Sequence, residues 1–170
     1  KILSGATRMD KGGIFLDGSQ LDISSPHKAM ALGISVIYQE FNLVPELSVA
    51  ENIFLGREPR THLGFVDRKK MYQQAGELLG TLGSPVGPRV KVADLGVAHQ
   101  QLVEIAKALA VKAKIIAMDE PTATLSLQET ERLFSIIKLL KKEGRGIIYI
   151  SHRIEEIFQI ADRVTVLRDG

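Results

Sequence analysis

Residues 115–121 read Ile-Ile-Ala-Met-Asp-Glu-Pro, and no other segment restricts the fold as strongly. A short run of bulky apolar residues suits a strand buried on both faces of a sheet, because a half-exposed strand would alternate with polar positions. The proline that follows has no amide to give to a ladder, so the strand ends there and the chain turns. The fold must therefore bury this strand and present Asp119 and Glu120 side by side at its carboxyl end. Two adjacent acids in that position are costly unless something positive meets them.

Around this strand the chain alternates. Residues 13–17 read as a strand entering a tight turn at Asp17-Gly18, a hairpin signal. Ser25 caps a short helix opened by Pro26 and ended by Gly33. Ile34 to Tyr38 is strand-like and gives way to a polar loop, Gln39-Glu40-Phe41-Asn42. Ser48 and Glu51 are spaced as a capping box for a brief helix ending near Gly56, and Asp67 caps a longer one stopping at Gly83. From Ala98 an apolar stripe of Leu102, Ile105, Ala106 and Leu109 marks another helix. Ser126 and Glu129 form a second capping box before a helix striped by Leu133, Ile136, Ile137 and Leu140. Ile147 to Ile150 is expected as a further buried strand ending at Ser151-His152, with one more helix leading to a last strand, Val164 to Leu167. Strands alternating with helices imply an α/β fold with a mainly parallel sheet and flanking helices. Residues 48–112 interrupt the rhythm and are expected to form a helical subdomain inserted between residues 1–47 and 113–170.

Composition excludes several function classes. The 170 residues are 45% hydrophobic and 25% charged, as in an ordinary soluble domain. No cysteine is present, which removes disulfides and cysteine-ligated zinc. The net charge is +2 and the basic residues are dispersed, so no nucleic-acid surface is expected. No apolar run approaches the roughly 18 residues of a membrane span.

Polar residues sit at three expected strand exits: Gln39, the Asp119-Glu120 pair and His152. Taken singly, the acids could decorate a helix start, and the histidine could be a satisfied cap. Gathered on one sheet edge, where α/β ligands bind, they suit a magnesium ion with a nucleotide phosphate.

In this order the segments resemble the nucleotide-binding domain of ATP-binding cassette (ABC) transporters, specifically the P-loop ATPases of monosaccharide importers of the ribose and galactose type. Val36-Ile37-Tyr38-Gln39-Glu40 is similar to the family's Q-loop, and Leu95-Gly96-Val97-Ala98-His99-Gln100-Gln101 stands where its signature falls. Asp119 and Glu120 match the Walker B aspartate and catalytic glutamate. Pro121-Thr122-Ala123-Thr124-Leu125-Ser126 matches the D-loop and Ser151-His152-Arg153 the switch histidine. Arg163 to Gly170 resembles the close of the first ABC half. The resemblance spans essentially the whole chain.

It implies ATP and Mg2+ as ligands, with Asp119 and Gln39 on the metal, and Glu120 and His152 as the catalytic pair. Gly96, Val97, Ala98, His99 and Ser126 would act in trans on nucleotide held by a second ABC half. It further implies transmembrane permease subunits as partners, a periplasmic sugar-binding protein indirectly, and a peripheral place on the cytoplasmic face of the membrane. The family's glycine-rich Walker A loop is expected just before Lys1, with Lys1 to Gly5 as the end of the helix it introduces. A chain without that loop is expected to bind ATP poorly.

Other departures fall in the signature, where family members usually carry serine at the second position and glutamine at the fifth. Here those are Gly96 and His99. Losing a hydrogen bond to a charged phosphate costs about 1.5–3 kcal/mol, which implies two unequal ATP sites unless the change is inconsequential drift. Ser126 stands where many family members have aspartate. Two other readings remain at this stage: a DNA-maintenance ATPase of the same superfamily, disfavoured by the lack of coiled-coil or zinc insertions, and an inactive interaction half. Importers of another small solute, such as a nucleoside, share the same motifs.

Overall fold

The computed structural model describes residues 1–168, and its elements follow the local signals closely. Strands β1 (Ile14–Leu16) and β2 (Ser19–Leu21) form an antiparallel hairpin. Asp17 and Gly18 both take positive φ, 51° and 79°, which matches the twist a two-residue hairpin turn needs. Helix α1 (Pro26–Ala31) is capped by Ser25, whose hydroxyl accepts the Lys28 amide. Gly33, at φ 82°, then turns the chain into β3 (Ile34–Ile37).

Three helices separate β3 from the next strand. Helix α2 (Val49–Ile53) carries the complete Ser48–Glu51 capping box, and α3 (Arg68–Thr81) starts on the side chain of Asp67. After a single 3₁₀ turn, Val92–Asp94, helix α4 (Val97–Ala110) runs back to the sheet. Strand β4 (Ile115–Asp119) follows, then α5 (Leu127–Lys142), β5 (Gly146–Ile150) and α6 (Ile154–Ile160).

The second sheet has the order β3-β4-β5, all parallel, with β4 in the middle as its apolar run requires. Parallel neighbours need a crossover, supplied once by the α2–α4 block and once by α5. Ile116 and Met118 are fully buried and join Ile37, Ile105, Ile137 and Leu140 in one core. That core continues without a break into Ile53, Met71 and Leu79 of the helical block. Each such side chain contributes about 1.5–3 kcal/mol by leaving water. Among the described residues no helix is long and apolar enough to cross a membrane.

Residues 164–167 form no strand: Val164, Val166 and Leu167 are 57%, 86% and 86% exposed. A strand requires a ladder partner, and none of the described residues offers one there. Strand β5 is for the same reason an edge strand, with Ile148 and Ile150 exposed rather than buried. At the start, Ile2 to Gly5 make a turn, closed by a 2.9 Å bond from the Gly5 amide to the Ile2 carbonyl, and not a helix. Asp169 and Gly170, part of the segment compared with the close of an ABC half, lie outside the described residues.

Candidate active site

The register of the parallel sheet aligns the three strand exits. Ile37 pairs with Met118 and Met118 with Tyr149, so Gln39, Glu120 and Ser151-His152 leave along the same carboxyl edge. Asp119 still belongs to β4 and pairs with Ile150. Its carboxylate, partly exposed, has no hydrogen bond or ion pair among the described residues.

Glu120 is held differently. Its amide donates to the Ile150 carbonyl at 2.9 Å, extending the β4–β5 ladder by one residue. Its φ is then 46°, in the left-handed region. A residue before proline normally stays extended, and a non-glycine residue in that region is strained by about 1–3 kcal/mol. The strain aims the carboxylate toward β5, where its Oε1 lies 3.0 Å from Nδ1 of His152. His152 is 72% exposed in its side chain, so its other ring nitrogen is open to solvent. Gln39, also exposed, has no hydrogen-bond partner among the described residues. The expected residues therefore share one edge, but only Glu120 and His152 touch.

A carboxylate cluster beneath this pair was not legible from motifs. Glu156, on the first turn of α6, is 6% exposed and accepts four hydrogen bonds. Thr122 Oγ1 donates to its Oε1 at 2.7 Å, and Tyr149 OH and Ser151 Oγ donate to its Oε2 at 2.7 and 2.9 Å. The Arg153 guanidinium lies 3.3 Å from Oε1. Burial alone raises this carboxyl, but the bonds from Thr122, Tyr149, Ser151 and Arg153 outweigh it and hold it below the usual carboxylate range. Burial pushes the Tyr149 hydroxyl well above its ordinary value. The available signal was the spacing of Glu156 and Ile160, which puts the acid on the helix face that is buried.

The loop after β3 is clamped to α4. The Asn42 amide donates to Glu104 Oε1 at 2.9 Å, while Lys107 donates to the Asn42 carbonyl at 2.7 Å and lies 3.4 Å from Glu104. Further on, Asn52 is 1% exposed and bonds both the amide and the carbonyl of Val44, at 2.7 and 3.0 Å. Asn42, Glu104 and Lys107, together with Tyr38, line a hollow of about 190 Å³ that does not include the acids of β4.

Gly96 is the N-cap of α4 and supplies no side-chain cap. The amides of Val97 and Ala98 have no acceptor among the described residues, whereas the His99 amide is bonded to the Gly96 carbonyl at 3.0 Å. The N-terminal ends of α4 and α5 face each other across a cavity of about 150 Å³, with Ala98, His99 and Gln101 on one wall and Leu125, Glu129 and Arg132 on the other. Ser126, beside it, is engaged with Glu129 in both directions of the capping box. The Ser126 amide and then its hydroxyl hold the Glu129 carboxyl below its ordinary value.

Residues 1–123 match the family model described as ABC transporter, and the chain belongs to that family. It is 59% identical over its whole length to ribose import ATP-binding protein RbsA 1 of Rubrobacter xylanophilus, covering 34% of that protein. To ribose import ATP-binding protein RbsA 1 of Streptomyces avermitilis it is 54% identical, again over the whole chain and 32% of the relative. The chain thus spans about a third of the length of the curated relatives it matches. The crystal structure of a nucleotide-free ATP-binding cassette from an ABC transporter superposes with a TM-score of 0.80 at 23% identity, covering 95% of this chain and 67% of that one. The α/β architecture with a parallel sheet, a small antiparallel hairpin and flanking helices is that of an ABC cassette.

Proposed function

We propose that this chain forms the hydrolytic part of an ATP-driven sugar importer subunit, in which Glu120 is the general base and His152 its partner toward the γ-phosphate. The observation that carries the reading is the 3.0 Å contact between Glu120 Oε1 and His152 Nδ1 at the ends of adjacent parallel strands. A carboxylate accepting from an imidazole is fixed in direction and can take a proton from an attacking water. His152, 72% exposed in its side chain, would donate from Nε2 to phosphate oxygens as an imidazolium, with Nδ1 donating to Glu120.

Asp119 fits a magnesium ion: among the described residues it is an oxygen donor without a partner, and no group of three or more acidic, histidine or cysteine ligands is present among them to compete with it. Magnesium keeps several waters and takes its remaining oxygens from substrate phosphates, so one or two side chains suffice. When bound it neutralises developing phosphate charge. Asp119 would hold it, with the Gln39 amide as a second oxygen donor from the loop clamped at Asn42.

Gly96 to His99 and Ser126 would face nucleotide on an opposing cassette. Residues 48–112 would be the helical subdomain that meets the permease, and the Glu104–Lys107 clamp would tie its motion to the Gln39 loop. The relatives' names, ribose import ATP-binding proteins, support a monosaccharide as cargo. A periplasmic binding protein would deliver it, and the subunit would lie against the cytoplasmic face of the membrane. The absence of a serine hydroxyl at Gly96 makes the site facing it the weaker of two. ATP turnover by the chain continued to the length of its relatives, compared with Glu120→Gln, tests the reading: a substitution without effect on turnover removes Glu120 as the base.

A further inference from the structure

We propose that Glu156 is a positioning residue that sets the distance between Glu120 and His152. This rests on the reading of those two residues as the hydrolytic pair. They leave separate strands on separate loops, Glu120-Pro121-Thr122 after β4 and Ser151-His152-Arg153 after β5. Glu156 belongs to neither loop, yet its carboxylate accepts a hydrogen bond from each: from Thr122 at 2.7 Å and from Ser151 at 2.9 Å. Tyr149, the last but one residue of β5, anchors the same carboxylate at 2.7 Å.

Proton bookkeeping makes the junction specific for an ionised acid. Thr122, Tyr149 and Ser151 each have one hydroxyl hydrogen, and each spends it on Glu156. The 3.5 Å approach of Thr122 to Tyr149 therefore has no proton left to make it a bond. Ser151 in turn accepts the Arg153 amide at 3.0 Å, so the turn carrying His152 is stapled at both ends of the histidine. Thr122 and Glu156 are 1% and 6% exposed, so no water substitutes for these partners. A glutamine at 156 would present an amide donor to hydroxyls already aimed inward, and one loop would have to let go. The strained left-handed Glu120 lies two residues from Thr122 and is the first to relax.

The test uses the full-length protein with Glu156→Gln, and Tyr149→Phe and Ser151→Ala as milder variants that leave the carboxylate in place. Glu156→Gln is expected to lower kcat roughly ten- to hundredfold through misplacement of the pair, with KM for ATP held within about twofold. Tyr149→Phe and Ser151→Ala are expected to lower kcat several-fold with the same split, and they decide the matter if Glu156→Gln does not fold. Independently of turnover, the imidazole nitrogen signals of His152, assigned with His152→Asn, are expected to move in Glu156→Gln toward their positions in Glu120→Gln while the other histidines stay. Unchanged kcat and unchanged His152 signals overturn the proposal, as does a parallel loss of ATP binding and kcat. If the unsubstituted protein hydrolyses no ATP, the hydrolytic reading fails, and a shift of the His152 signals still upholds the role of Glu156.

Discussion

The backbone amide of Asn42 donates to the carboxylate of Glu104, 2.9 Å away and 62 residues along the chain. The bond ties the loop that carries Gln39 to the middle of α4, the helix that Gly96 caps. Lys107 closes the clamp from the other side by reaching the Asn42 carbonyl at 2.7 Å. Two features that lie apart in sequence, the Gln39 loop and the α4 helix, are thereby one mechanical piece.

Glu104→Ala leaves the Asn42 amide and the mostly buried Lys107 ammonium without their acceptor. A loss of about 1.5–3 kcal/mol is expected in denaturant unfolding, since the bond removed is to a charged group. Hydrogen exchange at residues 40–46 should quicken while α5 is unaffected. The double replacement Glu104→Leu with Lys107→Met should recover much of the stability and none of the protection, because apolar substitutes fill the space without holding Asn42.

A Cβ built at Gly96 meets nothing within 4 Å, and Gly96 does not take a positive φ. Serine fits there without strain, and as an N-cap it is expected to stabilise the protein by a few tenths of a kcal/mol over glycine. If its hydroxyl also serves nucleotide on an opposing cassette, Gly96→Ser raises ATP turnover roughly tenfold in the full-length protein. A change in melting temperature with no change in turnover would leave only the capping role.

Glu120 pays for its direction with backbone strain at φ 46°. Glycine takes that conformation freely, so Glu120→Gly is expected to keep stability or raise it by up to about 1 kcal/mol, although it deletes the contact with His152. Thermal unfolding of the variant decides this. A clear drop in melting temperature would mean the His152 contact outweighs the strain.

Acid should weaken the fold through particular carboxylates. Glu156, and Glu51 through the hydroxyl and amide of Ser48, both titrate below the ordinary value of 4.5 in the folded chain. Carboxylates depressed by folding contribute stability that is complete above the unfolded value and is lost as pH falls through the folded one. Unfolding free energy should therefore hold steady down to about pH 5 and decline below 4.5. Glu156→Gln should show a shallower decline, measured by denaturant midpoints across that range.

The parts of the fold that were legible are those written locally. Asp17-Gly18 encodes its own turn, Ser48 and Ser126 find their glutamates three residues on, and the apolar run before Asp119 places β4 at the centre without help. The last strand was misjudged because Val164 to Leu167 has the composition of a strand, while pairing depends on a neighbour that composition does not supply. Within the candidate site, Asp119, Glu120 and His152 stand out in the sequence because each lies at the end of an apolar run. Glu156, Glu104 and Asn52 do not, since their partners lie on other elements and only the folded chain brings Thr122, Asn42 or Val44 to them. Expecting Gln39, Glu120 and His152 on one edge was correct for the sheet, but contact between Glu120 and His152 required the left-handed turn at Glu120, which no propensity announces.

The claim on which the account turns is that Glu120 takes the proton from water, and a single-turnover measurement of ATP cleavage in full-length protein with Glu120→Gln tests it most directly. Glutamine keeps the size and can still meet His152, but it is not a base. The cleavage rate is expected to fall roughly a hundredfold or more, with magnesium-dependent ATP binding retained. Cleavage at the unsubstituted rate would contradict it.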